Sequence, residues 1–244
     1  MPKYRLDLSY LGSGFRGLAR QPGLRTVQGV VEEALSRSVG AEVKTVAAGR
    51  TDAGVHARQQ VLSFSAERAL DEARVLRSLA KTLAPEVAPF SLFEVDQDFD
   101  ARRSARFRVY RYRILNREVG DPFRHDTVWH VPDELDLAAM NAGAVALVGE
   151  HDFAAFCRAT SAGGTVRRVI SASWSPSEVD LIEFEVSANA FCHQMVRSIV
   201  GLSVSIGRGH RRPEEMAVVI ANRDRSQASQ LAPARGLVLW EVVY

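Results

Sequence analysis

The stretch AAGRTDAGVHARQQ, residues 47–60, sets Asp52 between Arg50 and Gly54 on a tight turn. An Asp followed shortly by a Gly is common turn chemistry, which gives the carboxylate a purely structural reading. The cation two residues away gives it a second one, because Arg50 would hold a carboxylate ionised even where a cleft strips its water. Such a carboxylate serves as a nucleophile or as the counter-charge to a developing cation. His56 reads as a structural or supporting residue, since no Ser or Cys partner is evident nearby.

A second group of residues suits phosphates and bases. Residues 102–113, RRSARFRVYRYR, hold six arginines, Arg106, Arg108 and Arg111 among them, interleaved with Phe107, Tyr110 and Tyr112. On a strand Tyr110 and Tyr112 share one face, with Arg111 and Arg113 on the other. A surface that holds phosphates and stacks bases needs this mixture, and it points to RNA. The alternative is an edge strand whose charges guard against aggregation. A second basic run, GRGHRR at 207–212, offers Arg211 and Arg212 as further phosphate contacts.

The segment NAFCHQMVRSIVG, residues 189–201, places Arg197 four residues after His193, on one face if the segment is helical. Phe191, Val196 and Val200 make the surroundings apolar, so a half-buried Arg197 needs a carboxylate partner. A structural pair would serve, and so would a cross-cleft pair with Asp52. No GxxxxGK[ST], HExxH or CxxC occurs, so neither a metal nor a nucleotide cofactor is expected.

These groups must be held by regular elements. Residues 3–10 alternate as a strand, and a Gly-rich loop with Gly12, Gly14 and Gly17 follows. Thr26 caps a helix carrying Val27, Val30, Val31, Ala34 and Leu35, then residues 42–48 and 58–66 form strands around the Asp52 turn. Asp71 opens a helix with Val75, Leu76, Leu79 and Leu83, and 87–95 returns as a strand. The second half repeats the order: a strand at 106–115, a helix from Asp136 through Val148, strands at 165–174 and 180–188, a helix over 191–207, a short helix from Pro213, and a closing strand at 236–244. The expectation is an α+β protein of two ferredoxin-like β-α-β-β-α-β halves, residues 1–100 and 101–244, with antiparallel sheets side by side around a central cleft.

Composition agrees with a globular protein of one large or two small domains: 244 residues, 46% hydrophobic and 25% charged. No apolar run reaches the roughly 18 residues of a membrane span, and the N-terminus reads as a strand, not a signal. The net charge of +2 says little about nucleic acid, but only Lys3, Lys44 and Lys81 are lysines among 31 basic residues. Arginine's planar fork suits phosphate and base stacking, although genomic composition bias gives the same excess. Cys157 and Cys192 form neither a disulfide framework nor a metal pattern, so the reading is a cytoplasmic protein with reduced thiols.

Taken as a set, GRTDAGVHA (49–57), RTVQG (25–29), FDARRSARFRVYRYRI (99–114), HDFAAFC (151–157), TVRRV (165–169), NAFCHQMVRSIVG (189–201) and APARGLVLW (232–240) closely resemble the tRNA pseudouridine synthase A family, in the family's order over almost the whole chain. Leu11 departs from a usual acidic residue, and Leu18-Ala19 from a usual Trp-Gln. The resemblance implies isomerisation of uridine to pseudouridine in the anticodon stem-loop of tRNA at positions 38, 39 and 40, by a homodimer without cofactor or metal. It implies Asp52 as catalytic aspartate, Tyr110 as active-site tyrosine and Arg197 as basic partner, and leaves open whether the aspartate attacks ribose or base. Two rival readings stay beside it. One is an RNA-binding module without catalysis, which would need no Asp52. The other is an aspartate-dependent hydrolase, which would need a metal cluster or a second carboxylate.

Overall fold

The computed structural model describes residues 1–158 and 164–244. The chain is an α+β protein that divides into two units, Met1–Arg106 with Val238–Tyr244, and Phe107–Leu237.

In unit 1 the elements run β1 (Lys3–Tyr10), α1 (Val27–Val39), β2 (Val46–Ala47), β3 (His56–Ser65), α2 (Glu72–Leu83) and β4 (Val87–Val95). Strand β1 lies antiparallel between β3 and β4, and β2 pairs with the far half of β3. Tyr4, Leu6 and Leu8 stand opposite Phe64, Leu62 and Gln60 on one sheet face. Val27, Val31, Ala34 and Leu35 of α1 and Val75, Leu79 and Leu83 of α2 complete the core. Burying each of the Val and Leu side chains contributes about 2 kcal/mol. Both helices begin where the sequence places a cap: Thr26 accepts from Gly29 N and Asp71 from Arg74 N. The other face of β1 is polar, with Arg5 held bidentate on Asp7 at 2.7 Å and lying over Tyr244.

In unit 2 the strands are β5 (Phe107–Asn116), β6 (Trp129–Val131), β7 (Gly149–Asp152), β8 (Val166–Glu178) and β9 (Leu181–Ala188). Their order is β5-β9-β8-β7, all antiparallel, with β6 parallel to the end of β5. The helices are α3 (Leu137–Ala144), α4 (Met195–Gly207) and α5 (Glu215–Asn222). Helix α4 is apolar nearly all round, with Val196, Ile199, Val200, Leu202, Val204 and Ile206 buried, as a helix enclosed by its neighbours should be.

The division departs from the expected halves at two places. Strand β10 (Leu237–Val243) runs parallel to β3, pairing Val238 and Leu239 with His56 and Ala57, and so groups with unit 1. Residues 101–106 follow it, because Ala101 N donates to Ser63 Oγ, Tyr244 Oη to Ala101 O, and Arg106 N to Val243 O.

Candidate active site

Unit 1 supplies the Asp52 turn. Ala48 N donates to Val61 O, and Val55 N closes the turn onto Asp52 O at 3.1 Å. Gly54 has φ +80°, the left-handed conformation that such a turn asks of its third residue. The turn is braced from below by side chains. Gln60 Nε2 donates to Gly49 O at 2.9 Å, and the Tyr10 and Thr51 hydroxyls are 2.7 Å apart. Burial pushes the Tyr10 hydroxyl up to about 12, so it stays protonated at neutral pH.

The Gly-rich loop covers the same turn from the other side. Leu18 N donates to Thr51 O, and Gly12 N donates to His56 Nδ1 at 2.9 Å, which makes that nitrogen the acceptor of the ring. A Cβ at Gly12 would lie 2.0 Å from Val55 O, so only glycine lets the loop come this close. Asp52 is half-buried and Arg50 exposed. His56 thus has the supporting part that its sequence setting suggests.

Unit 2 supplies Tyr110 and Arg197. Tyr110 is 7% exposed and meets Phe191 edge-on at 4.9 Å between ring centres. Arg197 Nε donates to Ala232 O at 2.8 Å, while Ala232 N donates back to Arg197 O. The segment 230–236 therefore clasps the first turn of α4. It reaches β5 as well: Tyr112 Oη donates to Pro233 O at 2.7 Å, and a Cβ at Gly236 would lie 2.6 Å from the Tyr112 ring. Desolvation drives the Tyr112 hydroxyl well above the ordinary tyrosine range, partly opposed by the charges of Arg197 and Arg235. This bracing segment was visible in the sequence only as the conspicuous APARGLVLW, with nothing local to show what it supports.

Several expectations change here. Helix α4 starts at Met195, not 191, because Gln194 takes φ +67° and the carbonyl of His193 is bonded by Arg158 N. His193 therefore lies outside the helix, and its i,i+4 relation to Arg197 does not hold. The same Arg158–His193 bond lays residue 157 beside residue 192, and Cys157 and Cys192, expected as free thiols, are joined with Cα atoms 5.7 Å apart. Of the two tyrosines on the aromatic face of β5, Tyr112 is core and fully buried, so it offers no ring to a base.

On its opposite face Arg111 pairs with Glu183 and Glu185 and Arg113 with Glu178, so a phosphate reaching Arg111 must compete with two carboxylates. Burial raises the Glu183 carboxyl, and Arg111 and Arg113 oppose that rise. Arg108 is buried and donates to Asn189 O, and Arg211 is held by Glu215 and Gln227 O. Arg50, Arg106 and Arg212 are exposed. Arg50, Asp52 and Arg106 belong to unit 1; Arg108, Tyr110, Arg111, Arg197, Arg211 and Arg212 belong to unit 2.

Among the described residues, no group of three or more His, Cys, Asp or Glu side chains is arranged to hold a metal ion. No helix among them is long and apolar enough to cross a membrane.

Similarity to known proteins gives the class of this enzyme. The family described as tRNA pseudouridine synthase matches residues 144–244. Over its length the chain is similar to proteins named tRNA pseudouridine synthase A: 41% identical to that of Myxococcus xanthus, covering 100% of this chain and 92% of the relative. It is 41% identical to that of Brevibacillus brevis, with 100% of both covered, and 43% to that of Methylobacterium sp. (strain 4-46), covering 100% and 98%. The chain belongs to the tRNA pseudouridine synthase A family.

Proposed function

We propose that this protein converts uridine to pseudouridine in the anticodon stem-loop of tRNA, at positions 38, 39 and 40, with Asp52 as its catalytic carboxylate. As a family member it is a pseudouridine synthase, an isomerase. The reading is carried by one observation. A half-buried carboxylate stands on a turn held by hydrogen bonds of buried side chains, in a chain about 41–43% identical throughout to such synthases.

The reaction breaks the bond from uracil N1 to ribose C1′ and forms one from C5 to C1′. The C5 proton leaves and N1 gains one, so atoms balance without a co-reactant. Asp52 attacks as nucleophile or stabilises positive charge at the sugar. Arg197, fixed through Ala232, is the basic partner that offsets desolvation of the carboxylate. Tyr110, oriented by Phe191, stacks on the uracil and assists loss of the C5 proton. A uridine in a stem must be flipped out at a cost of a few kcal/mol. Contacts to phosphates from Arg50, Arg106, Arg108, Arg111, Arg211 and Arg212 offset that cost.

In the same reading each unit is a ferredoxin-like half. Support comes from the β-α-β-β-α-β order of unit 1 and its strand neighbours β4-β1-β3-β2. The protein works as a homodimer, as the family resemblance implies. The test is incubation with unmodified tRNA and mapping of pseudouridine along the transcript. New pseudouridine at 38, 39 or 40 is expected. Modification elsewhere refutes the site assignment, and none at all refutes the reaction.

A further inference from the structure

The face of the unit 1 sheet that carries Tyr4, Leu6, Leu8, Leu62 and Phe64 is apolar until it reaches the Asp52 turn. There it becomes polar. Gln60 stands opposite Leu8 and is 0% exposed, Tyr10 is 4% exposed, and Thr51 is 8% exposed. Aliphatic residues would continue the core at these positions without the desolvation that an amide and two hydroxyls suffer. Three polar side chains buried under one turn call for an explanation in what they hold.

What they hold is both ends of the segment that leads into Asp52. Gln60 Nε2 donates to Gly49 O, and Val61 N donates to Gln60 Oε1 at 3.2 Å, which fixes the orientation of the amide. The Tyr10 hydroxyl meets both Thr51 Oγ1 and the Gln60 side chain, so the three side chains form one connected set. Tyr10 reaches this position through a break in register between Leu8 and Tyr10, which moves it opposite Ala57. Such bulges re-aim side chains beside functional sites. The set of one amide and two hydroxyls is uncharged at neutral pH, so it orients the turn without introducing a charge.

We infer that Tyr10, Thr51 and Gln60 form a buried positioning relay that sets the conformation of the Asp52 turn and thereby the rate of the chemical step. The inference rests on Asp52 being the catalytic carboxylate. The three residues are buried and act through the backbone of Gly49 and Thr51, which makes them positioning residues. Misplacement of a reacting group by about 1 Å is enough to cost roughly 100-fold in rate.

The test compares Tyr10→Phe, Thr51→Val, Thr51→Ser and Asp52→Asn in single-turnover pseudouridine formation on saturating tRNA, with tRNA affinity measured for each, well below each variant's unfolding transition. Tyr10→Phe and Thr51→Val should lose roughly 10- to 100-fold in rate with affinity within about twofold of the parent. Thr51→Ser, which keeps the hydroxyl, should recover most of that loss. The double variant Tyr10→Phe/Thr51→Val should lose less than the two single losses combined, since both break the Tyr10–Thr51 link. Parent-like rates in Tyr10→Phe and Thr51→Val beside an inactive Asp52→Asn overturn the relay and leave the catalytic reading standing. So does a loss in affinity that matches the loss in rate, which marks a purely structural role. An active Asp52→Asn removes the reading on which the relay rests.

Discussion

Replacing Gly201 with alanine sets two effects of opposite sign against each other. Gly201 lies inside helix α4, where alanine is favoured over glycine by about 1 kcal/mol. A Cβ there would lie 1.8 Å from the Gln230 carbonyl oxygen, about 1.6 Å inside the 3.4 Å at which ordinary contact begins. The obstacle is backbone, so no side-chain rotation relieves it. The segment 230–232 has to move away from the helix. That movement breaks the bond from Arg197 Nε to Ala232 O, worth about 2 kcal/mol for a charged donor, and the bond from Ala232 N to Arg197 O, worth about 1 kcal/mol. Loss exceeds gain by about 2 kcal/mol.

For a chain of this size that difference corresponds to a fall in melting temperature of about 4–8 °C. Urea unfolding followed by circular dichroism measures it, with the midpoint moving and the slope unchanged. Because Arg197 loses its fixed orientation, single-turnover pseudouridine formation should slow in the same variant. A Gly201→Ala protein more stable than the parent, with its rate intact, would show that the 230–236 segment does not brace α4.

Other outcomes follow from the same geometry. Tyr112→Phe leaves the Pro233 carbonyl without its donor and should cost about 1 kcal/mol of stability, read as a lower urea midpoint. The Arg25–Glu86 pair holds the Glu86 carboxyl below its ordinary 4.5. Its stabilising effect is therefore present above 4.5 and fades as pH falls through the lower folded value, and Glu86→Gln should flatten that acid limb in melting curves. Affinity for tRNA should fall steeply with salt, with a log–log slope of several units; Arg212→Ala should weaken binding without changing which uridine reacts, and a flat salt response would refute phosphate-led binding.

What was legible in the sequence was what local pattern encodes. The alternation at 3–10 and 87–95 gives β1 and β4 at their observed bounds, and Thr26, Asp71 and Asp136 cap the helices expected of them. What escaped depends on partners distant in the chain. Strand β10 has the same alternation whichever unit it joins, and only its parallel pairing with His56 and Ala57 decides. The arginine face of β5 looks like an RNA surface until the antiparallel register sets Arg111 opposite Glu185. Residues 191–194 continue the apolar periodicity of α4, yet the long-range bond from Arg158 to His193 keeps them out of the helix. Among the residues proposed for catalysis, Asp52, Tyr110 and Arg197 stand out by type and spacing. Their supports do not: Gln60, Thr51, Gly12 and the 230–236 segment are ordinary residues until the fold brings them under or beside the side chains they hold.

The central claim is that Asp52 performs the chemistry, and Asp52→Asn tests it most directly, since it keeps size and turn propensity while removing charge and nucleophile. Single-turnover pseudouridine formation and filter-binding affinity for tRNA are measured on the same preparation. The account predicts a rate lower by on the order of 10⁴ or more, with tRNA binding retained because the arginines supply the phosphate contacts. A rate within about tenfold of the parent would contradict it and return Asp52 to the status of a turn residue.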